Sequence, residues 1–201
     1  MMEKFADIQI LQYHVDGFED LPLSRKRFIY YLSKAALSGR DILFDQNGKY
    51  NLLIRRTLEA IYLHSQSDKS STDFKAMVVY LKRVWFSSGI HHHYGCEKFT
   101  PDFSEMFLKR EILSIDEKYL PLEKGDSAVQ LFELLRPIIF DANVMPTRVN
   151  KDEGKDLLLS SACNYYRDVT QQEAENYYEK KKNPDDPTPI SYGLNSRLVK
   201  E

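Results

Sequence analysis

Apolar side chains recur at intervals of three and four residues along this chain, and this spacing predicts a largely helical fold. From Ser24 to a stop expected at Gly39, the apolar positions are Phe28, Tyr31, Leu32, Ala35 and Ala36. The same spacing returns in five later stretches, which begin near Asn51, at Thr72 or Asp73, at Thr100–Pro101, at Ser127 and at Thr170. The sequence therefore predicts about six helices.

Polar residues mark several of these helix starts. Ser127 with Gln130, and Thr170 with Glu173, have the spacing of a capping box, in which two side chains satisfy free backbone N–H groups reciprocally. The helix from Ser127 should bend or stop at Pro137, because proline cannot donate a backbone hydrogen bond. A turn is expected at 45–49, which includes an Asn-Gly pair.

Strand signals are few and lie late in the chain. A short apolar run at 156–163 is ambiguous between helix and buried strand, and we favour a strand. Residues 1–182 then form a mostly helical domain, 183–189 a proline-rich connector, and 190–201 a strand with alternating apolar positions. The predicted fold class is mainly α with a small β element, within the α+β class.

Composition limits the partners. The chain has 201 residues with 28 Lys and Arg against 30 Asp and Glu, a formal charge of −2, so no nucleic-acid partner is expected. No apolar run approaches the length of a membrane span, and no membrane partner is expected. Two cysteines, Cys96 and Cys163, do not make a disulfide framework.

One cluster invites a chemical interpretation. His91, His93 and Cys96 are residue types that bind zinc, and they lie between Gly89 and Lys98. Adjacent histidines diverge on either a helix or a strand, so the spacing favours a hydrogen-bonded turn over a metal site. These three are weak metal candidates. No catalytic residue and no cofactor-binding residue is predicted.

Several collinear blocks resemble the N-terminal region of bacterial dipeptidyl peptidase III, a family of zinc exopeptidases. The blocks are Phe5–Ile10, Gly39–Tyr50, Lys82–Phe86, His91–Phe99, Ser161–Tyr166, Thr170–Ala174 and Ser191–Lys200. They span nearly the whole chain, and blocks of this length in this order are more specific than a short motif.

The resemblance implies an enzyme much longer than this chain, with two lobes around a wide cleft, that removes dipeptides from the amino ends of short peptides. Its zinc is held by a His-Glu-x-x-Gly-His helix and a later glutamate. In this sequence none of the five histidines is directly followed by a glutamate, so the zinc-binding motif is absent. Zinc is therefore expected only in the longer parent enzyme. The chain would belong to the zinc-free lobe, with its last strand in that lobe's small β-barrel.

Two hypotheses follow. In the first, the chain is the N-terminal part of the peptidase, inactive alone, and shapes the cleft wall for a peptide substrate while it packs against the remaining C-terminal part. In the second, it is a non-catalytic helical protein-interaction module. An exposed apolar face would permit a dimer. The resemblance implies a cytoplasmic location, with export of the parent as the alternative.

Overall fold

The computed structural model describes residues 3–188 and 196–200. Its elements are β1 (Lys4–Phe5), β2 (Ile8–Gln9), α1 (Leu23–Ser38), α2 (Arg40–Asn47), α3 (Asn51–His64), α4 (Thr72–Ser87), α5 (Glu105–Ser114), a 3₁₀ turn (Glu117–Tyr119), α6 (Ala128–Phe140), β3 (Tyr166–Arg167), α7 (Gln171–Glu179) and β4 (Leu198–Val199). The fold is mainly α with a small β element, as the sequence predicts.

The core forms around α3. This helix contacts α2, α4 and α5, and α5 in turn packs along α6. Helices α3, α4, α5 and α6 contribute apolar residues at helical spacing to one continuous cluster, and α2 adds Phe44. The largest fully buried side chains are Phe44, Phe74, Phe107, Ile54, Leu58, Ile61, Met77, Leu81, Ile90, Leu108, Ile112 and Leu135.

Helix α2 is one more helix than predicted. Its ring at Phe44 is fully buried, and the guanidinium carbon of Arg55 lies 4.7 Å from the centre of that ring. This packing extends the helix through Asn47, so the turn expected at 45–49 begins only at Gly48. Gly39 does not adopt the left-handed conformation of a helix stop, because its φ of −84° lets the chain pass directly into α2.

The two capping boxes are confirmed, but two other helix ends differ from prediction. Helix α5 begins at Glu105 with Ser104 as its cap, rather than at Thr100–Pro101. Helix α6 continues past Pro137 to Phe140, and Asp141 N–H donates to the Pro137 carbonyl at 3.1 Å. A proline so near the C-terminal end interrupts only one intrahelical hydrogen bond.

The strand predicted at 156–163 is wrong, because this run forms turns. The Asp156 carboxylate accepts hydrogen bonds from the backbone N–H groups of Leu158 and Leu159, both at 2.9 Å. Ser160 and Ser161 hydroxyls donate back to the carbonyls of Asp156 and Leu157. These local bonds replace the ladder bonds that a strand would need.

The small sheet lies just after these turns. Strand β3 pairs in parallel with β4, with Tyr166 opposite Leu198 and Arg167 opposite Val199. Of the predicted strand 190–201, only 198–199 is observed as a strand, and 190–195 lies outside the described residues. The connector predicted at 183–189 has neither helix nor strand over 183–188, and its last residue is not described.

The segment from residue 10 to residue 38, here called the arm, contains no buried residue. Before the arm, β1 and β2 pair antiparallel as a hairpin, with Phe5 opposite Ile8, and both of these side chains are buried. Within the arm, α1 forms as predicted over 16 residues, but none of its side chains enters the core.

Backbone amides of α1 are expected to exchange with deuterium orders of magnitude faster than those of α4. Helices of this length are marginal in water without tertiary packing, and α1 has little. Helix α4 buries Phe74, Met77 and Leu81 and should open only with the whole domain. Mass spectrometry of deuterium uptake measures both. Equal protection of the two helices would contradict the exposed arm.

Candidate functional site

The histidine cluster lies in a hydrogen-bonded turn between α4 and α5, in agreement with the favoured sequence interpretation. His91 pairs with Lys98 in an antiparallel bridge, and His92 N–H donates to the Glu97 carbonyl at 2.7 Å. At the start of this turn Gly89 passes close to Asn51, and an added Cβ would lie 2.3 Å from the side-chain amide nitrogen of Asn51. Glycine is therefore required at this approach.

His91 lies inside the protein. Its side chain is buried, and Nε2 is 2.7 Å from the Met145 carbonyl oxygen, which makes Nε2 the donor. Its Nδ1 is buried without a hydrogen-bond partner. The ring is thus held neutral by its surroundings, and burial lowers the pKa of His91 below its usual value of 6.5.

The other three side chains of the cluster have different hydrogen-bond partners, although the ring centres of His92 and His93 lie 4.4 Å apart. His92 Nδ1 accepts from Gly95 N–H at 2.9 Å, so its Nε2 donates to the Asp7 carboxylate at 3.1 Å. The exposed His93 ring stands edge-on to Phe86. Cys96 is half-buried with a left-handed φ of +68°.

The weak metal candidates His91, His93 and Cys96 are therefore not brought together. Across residues 3–188 and 196–200, no three His, Cys, Asp or Glu side chains converge as metal ligands. A structural zinc site needs four such ligands and a catalytic one usually three. The described residues therefore do not fit the zinc site that the resemblance implies.

Arg148 ties three segments together beside the turn. Its guanidinium donates to the His93 carbonyl at 3.1 Å and lies 3.5 Å from Cys96 Sγ. Its backbone N–H donates to the Cys96 carbonyl, and its backbone carbonyl accepts from the Cys163 N–H. Burial raises the pKa of Cys163, which favours the unreactive thiol.

We expect stability to fall as the pH drops below about 6.5, and His91→Gln to remove part of that fall. The pKa of His91 is lowered in the folded state, so the unfolded chain takes up a proton more readily. The contribution of neutral His91 to stability is complete above about 6.5 and is lost progressively as the pH falls through the folded-state pKa. Urea unfolding of both proteins at about pH 7.5 and about pH 5.5 measures the difference, and His14→Gln is the exposed control. Identical pH profiles for His91→Gln and wild type would contradict this assignment.

An open groove of about 720 Å³ lies between the start of α3 and α6. Its floor is apolar, with Leu52, Leu53 and Leu131. Its rim mixes signs, with Lys49 on one side and Glu123 on the other. This mixture selects neither an anionic nor a cationic ligand.

The arm is the most unusual surface of the described structure. Its exposed large apolar side chains are Ile10, Leu11, Tyr13, Val15, Leu23, Phe28, Ile29, Tyr30, Tyr31, Leu32 and Leu37. Phe28 and Leu32 lie one turn apart on α1 and are 66% and 57% exposed. Soluble proteins rarely leave so many neighbouring apolar side chains in water unless they bind something there.

Sequence reasoning predicted an exposed apolar face without locating it. Periodicity predicts that Phe28, Tyr31 and Leu32 share a helix side, but it does not say whether a partner for that side lies within the same chain. One signal was available. Between Asp20 and Asp41 the chain has five basic residues and no acidic one, which is unusual for a helix that packs on its own core.

Comparisons with known proteins do not identify the chain. No model of a known protein family matches it, and no curated protein matches it. No described helix is both long and apolar enough to cross a membrane.

Proposed function

We propose that this chain is a non-catalytic component of a zinc dipeptidyl peptidase, and that its arm docks on the part of the enzyme that binds zinc. One observation carries the proposal: residues 10–38 contain no buried residue, and eleven of their large apolar side chains are exposed. The collinear blocks that resemble dipeptidyl peptidase III supply the identity of the partner, since that enzyme has a second, zinc-bearing lobe.

The energetics favour such docking. Full burial of one large apolar side chain contributes about 1.5–3 kcal/mol. Phe28, Tyr31 and Leu32 together would therefore offset a substantial part of the entropy cost of association. The interface would also stabilise α1, whose own side chains give it little support in the isolated chain.

In this proposal the chain contributes no catalytic group and instead holds structural elements of the enzyme in place. Its helical core anchors the hairpin through the ion pair of Lys82 on α4 with Glu3, and it anchors β4 through α2. Arg197 fixes β4 to the core, because its Nε donates to the Asn164 carbonyl at 2.8 Å and its Nη2 lies 3.1 Å from the Asp45 carboxylate. The chain would form part of the cleft wall for the peptide substrate, in the cytoplasm where the family acts.

Co-expression tests the proposal. This chain, carrying a purification tag, is produced with the zinc-binding portion of a bacterial dipeptidyl peptidase III that lacks its own counterpart of residues 1–201. We expect a stable one-to-one complex in size-exclusion chromatography. Failure of the two chains to co-purify, when the zinc-binding portion is soluble, would refute the proposal.

The second candidate is self-association, because the same arm could pair with the arm of another copy. Sedimentation of the isolated chain over a range of concentrations distinguishes the two. A dimer that persists in the presence of the zinc-binding portion would favour the second candidate, and a dimer that the partner dissolves would favour docking within the enzyme.

A further inference from the structure

We propose that the surface on which α1 docks carries a carboxylate opposite Arg25, so that the partner is apolar with an acidic residue at its centre. This inference rests on the proposed function and adds the chemistry of the partner surface. It is carried by the position of Arg25 and by the charges of α1.

Arg25 lies within the apolar side of α1. A helix turns by about 100° per residue, so Phe28, Ile29 and Leu32, at three, four and seven positions further on, share its side. All three are exposed. Any partner that covers Phe28 and Leu32 therefore also removes the Arg25 guanidinium from water.

Arg25 has no partner charge in the part of the chain that the structure describes. Within the described residues it makes no side-chain hydrogen bond or ion pair, whereas its neighbour Lys26 binds both the carbonyl and the carboxylate of Glu19. A guanidinium that is buried without a counter-charge opposes binding strongly. Docking is therefore favourable only if the partner supplies the carboxylate, and Arg is a frequent centre of protein interfaces for this reason.

The start of α1 gives a second reason to expect a carboxylate on the partner surface. The first turn has no acidic residue, and its N-cap residue, Pro22, provides no side-chain hydrogen bond. Arg25, Lys26 and Arg27 stand at the positive end of the helix dipole, where cations are unfavourable. A carboxylate from the partner at this point would offset both the free N–H groups and the cations.

Charge reversal at two positions of α1 tests the inference. Arg25→Glu is compared with Lys34→Glu, because nine positions along a helix place Lys34 on the opposite side and its ammonium already lies 5.6 Å from the Tyr30 ring centre. Both variants are co-expressed with the zinc-binding portion, and the amount that co-purifies is measured at low and high salt. Arg25→Gln is included to separate loss of charge from its reversal.

We expect Arg25→Glu to reduce co-purification at least about tenfold, and Lys34→Glu to change it by less than about threefold. Circular dichroism should show that isolated Arg25→Glu keeps its helix content, because a carboxylate suits the helix start. If Arg25→Glu binds like wild type while Phe28→Asp does not, the inference is overturned and the proposed function stands. Equal losses in both charge variants would also overturn it. Absence of wild-type binding refutes the proposed function itself.

Discussion

Phe107→Ala should lower the free energy of unfolding by about 3–5 kcal/mol, a large part of the 5–15 kcal/mol that a domain of this kind has. Phe107 on α5 is 1% exposed, and its ring meets Phe74 of α4 edge-on with 6.4 Å between ring centres. A second edge-on contact joins it to Phe103 at 6.0 Å. Removal of the ring therefore loses apolar burial and two aromatic contacts and leaves a cavity between helices.

The neighbouring residue is the matched control. Met106 is 80% exposed on the same turn, so Met106→Ala should change stability by no more than about 0.5 kcal/mol. Urea unfolding followed by tryptophan fluorescence measures both, since the single tryptophan, Trp85, lies on α4. A loss below about 1 kcal/mol for Phe107→Ala would mean that α4 and α5 do not form the core described above.

Phe28→Asp combined with Leu32→Asp should abolish docking of the arm while it leaves the isolated chain folded. Both side chains are exposed in the free chain, so their replacement should alter its stability by no more than about 1 kcal/mol. In the complex the same positions would place two carboxylates in an apolar interface, at a cost that exceeds the gain from contact. Co-purification with the zinc-binding portion should fall below detection.

Lys34→Asp is the matched control for this double variant. It also introduces a carboxylate on α1, but position 34 lies about 160° around the helix from Leu32 and about 120° from Phe28. We expect it to co-purify nearly as wild type does. Normal binding by the double variant, or equal failure by Lys34→Asp, would show that the apolar side of α1 is not the docking surface.

Sequence reasoning recovered the parts of the fold that depend on local chemistry. The capping boxes at Ser127 and Thr170 satisfy backbone groups within four residues, and both helices begin where they predict. Helix α2 is not predicted because it is stabilised by the packing of Phe44 against Arg55 on the next helix, a contact that periodicity within one helix does not indicate. The strand at 156–163 failed for the opposite reason, since the single Asp156 carboxylate organises a turn that apolar periodicity does not register.

The candidate site likewise combines a local feature that the sequence predicts with long-range contacts that it does not predict. Spacing alone predicted that the residues from His91 to Cys96 favour a turn, because the constraint is the geometry of adjacent residues. The burial of His91 against the Met145 carbonyl joins residues 54 positions apart and could not be predicted from sequence. Exposure of the arm is likewise a property of the whole fold, in which the side chains of α1 stay outside the core.

Dipeptide release from a chromogenic substrate measures whether docking of this chain completes the enzyme. We expect no activity from this chain alone, because its described residues provide no set of three metal ligands, and zinc-dependent activity when it is co-purified with the zinc-binding portion. The Phe28→Asp, Leu32→Asp variant should restore none. Zinc-dependent dipeptide release by the isolated chain, or equal release by the zinc-binding portion with and without it, would refute the proposed function.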